Sequence, residues 1–225
     1  ACLVGSEMCI RDSHRTNHLN LKSKPRIETM KIIPSLPHHA RIIGKGITMA
    51  IGDELAERLG APEHSSADVV TLFASLAART DTQYSYMNSF SAVDDSGEVM
   101  GILVCYDGAR LIELRRIFFA EAARQIGLKT EGDVDDLPVE TSPDEFYLDS
   151  LAVMPEYRGR GVATALIEAA GMRARECGKP LGLLVDKTNS RARRLYDSLG
   201  FKQVGERFFA GELMDHLQLL SVEDK

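Results

Sequence analysis

The stretch that decides the fold runs from Val153 to Ala163 and reads Val-Met-Pro-Glu-Tyr-Arg-Gly-Arg-Gly-Val-Ala. It follows an apolar, strand-like run from Phe146 to Val153 and opens an amphipathic, helix-like run from Val162 to Cys177. A helix N-terminus presents free backbone N–H groups and partial positive charge, and glycine lets the backbone approach a phosphate closely. The junction therefore predicts a site for a phosphate-bearing ligand between a strand and a helix.

Three kinds of phosphate-binding motif place glycines between a strand and a helix. A P-loop requires a Lys-Ser or Lys-Thr pair after its last glycine, and this stretch has neither. A dinucleotide-binding fingerprint requires a third glycine where Thr164 stands. The remaining motif is Arg-x-x-Gly-x-Ala, which Arg158, Gly161 and Ala163 match.

A second motif follows downstream. An apolar run ending at Leu183–Asp186 is followed by Asn189 and by a helix-like run that carries Tyr196 before Leu-Gly-Phe at 199–201. With the first motif, this strongly resembles the GNAT acetyltransferase family over about Phe146 to Phe209. The spacing leaves room for one helix and one strand between the motifs, as that fold requires.

The resemblance implies the GNAT fold, an α/β (α+β) arrangement in which a mixed, mostly antiparallel central sheet is flanked by helices. The helical pattern from Ala109 to Leu128 is longer than the family's usual connection and predicts an extra helix between strands 3 and 4. One domain is expected over residues 30–225. Residues 1–29 resemble N-terminal stretches that recur on unrelated sequences, as if translated from non-coding or adapter sequence. We therefore expect a non-native or disordered tail and a native start at Met30.

The resemblance also implies an N-acetyltransferase that uses acetyl-CoA as co-substrate and moves the acetyl group directly to an amine. In the family, the turn that carries the first motif holds the pyrophosphate of acetyl-CoA; here it is Arg158–Ala163, which we call the glycine turn. The backbone of the preceding strand meets the acetyl and pantetheine groups. The residues expected to bind the cofactor are Leu151, Ala152, Val153, Arg158, Gly159, Arg160, Gly161, Val162, Ala163 and Asn189. Asn189, just before a helix, is equally compatible with a plain N-cap.

Two residues are the catalytic candidates. Tyr196 matches the family's tyrosine and is expected to donate a proton to the CoA sulfur, although a tyrosine here also suits packing on a helix face. Asp149 is the first candidate for the base, because a carboxylate inside an apolar strand is costly unless it is partnered or functional. Alternation places Asp149 on the face of Leu151 and Val153 unless a bulge intervenes. Glu145 and Glu113 are further candidates for the base.

The acceptor side has weaker signals. A strand-like run from Tyr84 to Val93 places polar groups on one face, which suits either a solvated strand face or the lining of an acceptor site. The acidic segment between residues 131 and 145 suits either a solvated loop or a lid that attracts an amine. The residues expected to line the acceptor site are Tyr84, Tyr86, Asn88 and Glu113.

Composition excludes several partner classes. The chain has 225 residues, 44% of them hydrophobic and 27% charged, as in ordinary soluble globular proteins. Its net charge of -6 argues against nucleic acid or an anionic membrane as a main partner, and no apolar run predicts a membrane span. Four cysteines without Cys-x-x-Cys spacing suggest reduced thiols in a cytoplasmic protein, and no metal is expected.

The sequence leaves the acceptor open. A small molecule with a primary amine is the first expectation, because the extra helix and acidic segment could enclose a small site, and a peptide or protein amine is the second. A non-catalytic acyl-CoA-binding module is an alternative of another class, and a tRNA-directed enzyme is disfavoured by the acidic balance. A homodimer is compatible with the resemblance.

Overall fold

Strands and helices follow one another along the whole of the computed structural model, which describes residues 30–60, 63–130 and 132–219. The expected tail, residues 1–29, lies outside the described residues. The elements are β1 (Lys31–Pro34), α1 (Ala40–Gly60), α2 (Ser66–Ala77), β2 (Ser89–Val93), β3 (Val99–Asp107), α3 (Leu111–Ile126), β4 (Phe146–Val153), α4 (Val162–Glu176), β5 (Leu181–Val185), α5 (Ser190–Ser198), β6 (Lys202–Phe209) and β7 (Glu212–Leu219). Within those ranges, no helix combines the length and the apolar character needed to cross a membrane.

The seven strands form one sheet in the order β1-β2-β3-β4-β5-β7-β6. Every neighbouring pair is antiparallel except β4 and β5, which run parallel. This confirms the predicted mixed, mostly antiparallel sheet. The predicted extra helix is also present, as α3 between β3 and β4.

Helices cover both faces of the sheet. A Cβ at Gly101 of β3 would meet Val162 and Leu166 of α4, whereas the next residue, Ile102, lies against Gly46 of α1 on the opposite face. Side chains that are adjacent along a strand point to opposite faces, so α4 covers one face and α1 the other. Fully buried apolar residues of α2 extend the layer that α1 begins.

Two glycines inside α1, which would otherwise weaken a helix, allow close packing. A Cβ at Gly46 would lie 2.3 Å from Ile102 Cγ1, and a Cβ at Gly44 would lie 2.5 Å from the backbone nitrogen of Ala74 in α2. The backbone of α1 therefore lies directly against both the sheet and α2. At Gly52 the helix is interrupted by a backbone with φ 81° and ψ 164°, a conformation that is essentially restricted to glycine.

Strand β4 contains a bulge at Asp149. Ser150 pairs with Val104 of β3, but Leu148 pairs with Cys105, so Asp149 is an extra residue with no partner in β3. On its other side β4 pairs with β5 only over Phe146–Leu148. The two parallel strands therefore separate beyond Leu148, and in the part of the chain that the structure describes no strand pairs with Leu151–Val153 on that edge.

The segment before β2 differs from the prediction. Residues 84–88 were expected to extend the strand, but β2 begins at Ser89 and Tyr86–Asn88 form a short 3-10 helix. The Asn88 amide donates hydrogen bonds to the carbonyl oxygens of Thr82 and Gln83, at 3.0 and 3.2 Å. These bonds to the preceding loop replace ladder hydrogen bonds, so Tyr84, Tyr86 and Asn88 do not share a strand face.

Arg115 of α3 is buried, although arginine is mostly found on protein surfaces. Its guanidinium donates to the carbonyl oxygens of Asp135, Leu137 and Pro138, at 3.0 to 3.1 Å. Arg116 adds an ion pair with the Asp135 side chain. The acidic segment is thus packed against α3 in this part and is not a freely solvated loop.

A buried carboxylate fastens the start of β4 to β7. Glu145 is fully buried, and its Oε2 lies 2.7 Å from His216 Nε2 and accepts a hydrogen bond from Gln218 at 2.8 Å. Its Oε1 accepts from the backbone N–H of Ser142 at 2.7 Å. Glu145, one of the candidates for the base, therefore holds strands together, and His216 is its structural partner.

Gly182 of β5 makes room for this carboxylate, since a Cβ there would lie 1.9 Å from Glu145 Oε2. We expect Gly182→Ala to lower the free energy of unfolding by about 3 kcal/mol, because the carboxylate must move away from His216 and Gln218. Urea denaturation measures the change. The matched control is Gly205→Ala in β6, whose Cβ would meet no atom within 4 Å. Equal losses in the two variants would contradict this role for Gly182.

Candidate active site

A cleft of about 520 Å³ opens where β4 separates from β5. We call it the junction cleft. Its walls come from α1, the end of β4, the glycine turn, the start of α4 and the start of α5. The lining residues are Met49, Ala50, Leu151, Ala152, Val153, Tyr157, Arg158, Gly159, Gly161, Val162, Ala163, Thr164, Asn189, Arg191, Ala192, Leu195 and Tyr196.

The glycine turn shapes one wall of the junction cleft. Gly159 and Gly161 both have positive φ, 75° and 79°, and a Cβ at either would meet no atom within 4 Å. Gly161 is the N-cap of α4, so the first N–H groups of a 15-residue helix face this cleft. Arg158 folds back to donate a hydrogen bond to the Val153 carbonyl oxygen at 3.2 Å. The turn combines open space, the N–H groups of a helix start and cationic charge, which together suit an anion.

The opposite wall comes from α5. The Asn189 side chain accepts a hydrogen bond from the backbone N–H of Ala192 at 3.0 Å, so it caps the helix as well as lining the cleft. Tyr196 lies one to two turns further along α5, with its ring 5.4 Å from that of Phe201. The residue is 8% exposed, and burial raises the pKa of Tyr196 to about 12. Its hydroxyl therefore stays protonated throughout the neutral range.

The junction cleft brings together nine of the ten residues predicted to bind the cofactor, and Tyr196 joins them. Arg160 is the tenth, and it is not among the lining residues. Its guanidinium carbon lies 5.6 Å from the centre of the Tyr157 ring. Met49 and Ala50 of α1 complete the cleft without any sequence signal, because only the packing of α1 against β4 brings them there.

Asp149, the first candidate for the base, lies outside the lining of this cleft. Because of the bulge, it points to the face of Tyr106 rather than to that of Leu151 and Val153. Tyr106 Oη donates to Asp149 Oδ2 at 2.9 Å, and Ser150 Oγ donates to Oδ1 at 2.8 Å. Burial raises the pKa of the Asp149 carboxyl, while these hydrogen bonds act in the opposite direction.

A second cavity, also of about 520 Å³, lies beside the first; we call it the aromatic pocket. The two share a wall at α1, since Ala50 lines the junction cleft and Ile51 lines the aromatic pocket. Its other walls are α2, α3, the loop before β2, residues 128–130 and 137–140, and the turn between β6 and β7. The lining residues are Ile51, Leu55, Arg58, Leu59, Phe73, Gln83, Tyr84, Arg115, Phe118, Phe119, Leu128, Lys129, Thr130, Leu137, Pro138, Glu140, Phe208, Phe209, Ala210 and Gly211.

Glu140 is the one carboxylate among these lining residues. It is 9% exposed, and burial raises its pKa from 4.5 to about 7. The nearby charge of Asp149 raises the pKa further, and the Arg115 guanidinium lowers it. At neutral pH the carboxyl group is therefore poised between its two protonation states, as a general base requires.

Two buried polar atoms of residues that line the aromatic pocket, the acceptor Gln83 Oε1 and the donor Arg115 Nε, have no hydrogen-bond partner among the described residues. Both residues are 4% exposed. Leaving such groups unpaired is costly. The pocket therefore offers one acceptor and one donor that a ligand can satisfy.

The structure separates the four residues predicted to line the acceptor site. Tyr84 lines the aromatic pocket. Tyr86 is partly buried against the α1 and α2 side of the core, and Asn88 holds the loop that carries Gln83 and Tyr84. Glu113 lies on the exposed surface of α3, paired with Arg110 at 3.2 Å, and lines neither cavity.

Three residues of the aromatic pocket were missed by sequence reasoning: Gln83, Arg115 and Glu140. Arg115 could have been noticed, because it lies four positions after Leu111 and three before Phe118, on the apolar face of α3. Glu140 is flanked by Val139 and Thr141 within an acidic run, and neither it nor Gln83 has a distinguishing neighbourhood. In the described ranges, no group of three or more His, Cys, Asp or Glu residues is arranged to hold a metal ion.

Comparison with known families gives one match. The profile described as the acetyltransferase (GNAT) family matches residues 54–201, which span both motifs, α3 and the acidic segment. A comparison with curated protein sequences finds no match.

Solved structures also resemble this chain. An N-acetyltransferase from Staphylococcus aureus Mu50 superposes with a TM-score of 0.68 at 19% identity, over 84% of this chain and 100% of its own. A structure described as an acetyltransferase gives 0.63 at 29% identity, over 84% and 97% of the two chains. One from Corynebacterium glutamicum ATCC 13032, described as histone acetyltransferase HPA2 and related acetyltransferase, gives 0.57 at 19% identity, over 86% and 98%. The fold is shared along nearly the whole of each structure.

The raised pKa of Glu140 predicts a specific dependence of stability on pH. Between pH 4.5 and pH 7 the folded protein holds a proton at Glu140 that the unfolded chain has already lost. Stability is therefore lost as pH rises through this window, by about 3 kcal/mol from this group. We expect Glu140→Gln to abolish this component, so that the variant gains stability relative to the wild type as pH increases.

Urea denaturation at several pH values between 4 and 8 measures the difference between the two proteins. Glu113→Gln is the control, because Glu113 is exposed on α3, and its difference from the wild type is expected to stay constant. A constant difference for Glu140→Gln as well would contradict the raised pKa.

Proposed function

Because this chain belongs to the GNAT acetyltransferase family and is an N-acetyltransferase, we propose that it moves the acetyl group of acetyl-CoA directly to the primary amine of a small molecule. The observation that carries the proposal is the pairing of two adjoining cavities. The junction cleft suits a phosphate-bearing cofactor, and the aromatic pocket beside it holds a buried carboxylate poised near neutral pH.

The residues of the junction cleft fit acetyl-CoA. Open space at Gly159 and Gly161 gives room for phosphate groups against the backbone, and the α4 N-terminus supplies N–H donors. Arg158 and Arg191 line the same cleft and add positive charge. The edge of β4 at Leu151–Val153, which has no partner strand on the β5 side, can pair with the amide groups of a pantetheine arm.

When bound, acetyl-CoA supplies an acetyl group whose carbon–sulfur bond breaks as the carbon–nitrogen bond to the amine forms. Tyr196 is proposed to donate a hydrogen bond to the departing sulfur. Its pKa of about 12 exceeds the pKa of about 8.5 of an ordinary thiol, so complete proton transfer from the phenol is unfavourable. Stabilising the sulfur through the O–H is therefore its better-supported role.

The amine must lose a proton, and two carboxylates are proposed to take part. Glu140 lines the pocket and accepts the proton at near-neutral pH. Asp149, proposed from the sequence, lies behind the pocket and is hydrogen-bonded to Tyr106 and Ser150. Its negative charge raises the proton affinity of Glu140, which supports a contribution through Glu140.

Direct transfer is supported by the cysteines that the structure describes. Burial raises the pKa of the Cys105 thiol, which disfavours the reactive thiolate. Cys177 is exposed at the end of α4, and neither cysteine lines the junction cleft or the aromatic pocket. No thiol among the described residues is therefore placed to carry the acetyl group.

A small acceptor is favoured by the shape of the aromatic pocket. Its volume lies within the range of about 300–1,000 Å³ typical of small-molecule sites. Residues 128–130 and 137–140 and the turn between β6 and β7 form walls on two sides. A peptide acceptor would instead require an open groove.

One prediction of the proposed function concerns cofactor binding. We expect Gly161→Glu to weaken acetyl-CoA binding by at least about 100-fold, because its side chain would bring negative charge to the α4 N-terminus where the phosphates are proposed to bind. Calorimetric titration of acetyl-CoA measures the affinity. Gly178→Glu is a matched control, since Gly178 also has positive φ and open space but follows the other end of α4. Equal weakening in both variants would refute the proposed site.

Another prediction of the proposed function concerns turnover. We expect Tyr196→Phe to lower kcat by about 100-fold and leave the affinity for acetyl-CoA nearly unchanged, because the phenyl ring keeps its packing and only the hydroxyl is lost. Release of free CoA measures turnover, and calorimetry measures affinity. Unchanged turnover would remove Tyr196 from the mechanism. A protein that binds acetyl-CoA but acetylates no amine would instead be a non-catalytic acyl-CoA-binding module.

A further inference from the structure

We propose that the aromatic pocket selects a primary amine carried on an aromatic or branched aliphatic body without a second positive charge. The inference rests on the proposed function and names the class of acceptor for the same site.

The walls of the pocket favour an apolar body. Six of its lining residues are aromatic. Three of these pack together: the Phe73 ring lies 4.9 Å from Tyr84 and 6.0 Å from Phe118, and Tyr84 lies 5.5 Å from Phe118. Such a cluster offers ring faces and edges to a flat or branched apolar group, and burying that group there removes apolar surface from water.

The polar atoms of the pocket favour one amine. Glu140 supplies a buried carboxylate, and Gln83 Oε1 is a buried acceptor without a hydrogen-bond partner. An amine N–H satisfies Gln83 Oε1 while Glu140 holds or accepts the amine proton. On the same walls Arg115 Nε lacks a partner, so a hydroxyl or ether oxygen on the body is compatible with the site.

Cationic residues disfavour a second amine. Arg58 and Lys129 line the pocket and are both exposed, which places them towards solvent. Buried Arg115 adds a third positive charge. A monoamine can pair with Glu140, but the further ammonium groups of a polyamine would meet like charges.

Steady-state kinetics with the full chain and acetyl-CoA test the assignment. The probes are 2-phenylethylamine, 3-methylbutylamine, ethylamine, spermidine and a short lysine-containing peptide. We expect kcat/KM for the first two to exceed that for ethylamine and spermidine by about 30-fold or more, because only they fill the apolar walls. Preference for spermidine or the peptide, or equal rates with ethylamine, would overturn the proposal.

A charge reversal tests the role of the exposed cationic residues at the pocket. We expect Lys129→Glu to raise the ratio of kcat/KM for spermidine to that for 2-phenylethylamine by about 5-fold, since an exposed like charge becomes an attractive one. Lys202→Glu is the control, because Lys202 is exposed at the far end of β6 from Phe208 and Phe209. An unchanged ratio in Lys129→Glu would contradict the exclusion of polyamines by the exposed cationic residues.

Binding of 2-phenylethylamine without acetyl-CoA separates the two proposals. We expect calorimetry to detect binding to the wild type and at least about 10-fold weaker binding to Glu140→Gln, which loses the ion pair. Absence of acetyl-CoA binding would refute the proposed function even if this amine binds. Acetyl-CoA binding with acetylation of spermidine, but no binding of 2-phenylethylamine, would overturn the acceptor class alone.

Discussion

The separation of β4 from β5 is the constraint on which the site depends. The strands pair over only three residues, and the bulge at Asp149 then redirects β4 while β5 continues beside β7. A strand that loses one neighbour presents unpaired N–H and C=O groups, which need another partner. In this protein that edge, Leu151–Val153, becomes a wall of the junction cleft. Glu145 stabilises the short parallel pair just before the two strands separate.

Three carboxylates close to β4 have different roles because their partners differ. Glu145 is held by hydrogen-bond partners from two segments, Ser142 before β4 and His216 and Gln218 of β7, so its role is structural. Asp149 has two hydroxyl donors and lies behind the aromatic pocket. Glu140 lines a cavity and is buried, but it lacks a comparable set of hydrogen-bond donors. Its pKa is therefore raised into the neutral range. Residue type and position along the chain do not distinguish these environments.

The aromatic pocket is assembled by the extra helix α3. Its Phe118 joins Phe73 of α2 and Tyr84 of the following loop, and its Arg115 fastens the segment that carries Glu140. Alpha-1 contributes to both cavities through consecutive residues, Ala50 and Ile51, just before the break at Gly52. The insertion between β3 and β4 thereby gives a shared fold the pocket that we propose as its acceptor site.

The sequence by itself predicted the extra helix and the residues of the glycine turn, because these depend on local periodicity and on backbone freedom at Gly159 and Gly161. It predicted the fold class through two motifs that resemble the family. It also brought Tyr196 and Asn189 to the same cleft through the spacing of two motifs. Only the tertiary structure decided the face of Asp149, the burial of Arg115 and the surroundings of Glu140 and Glu145. A bulge, a hydrogen bond or a desolvated carboxylate depends on contacts between distant segments, and no local pattern encodes them.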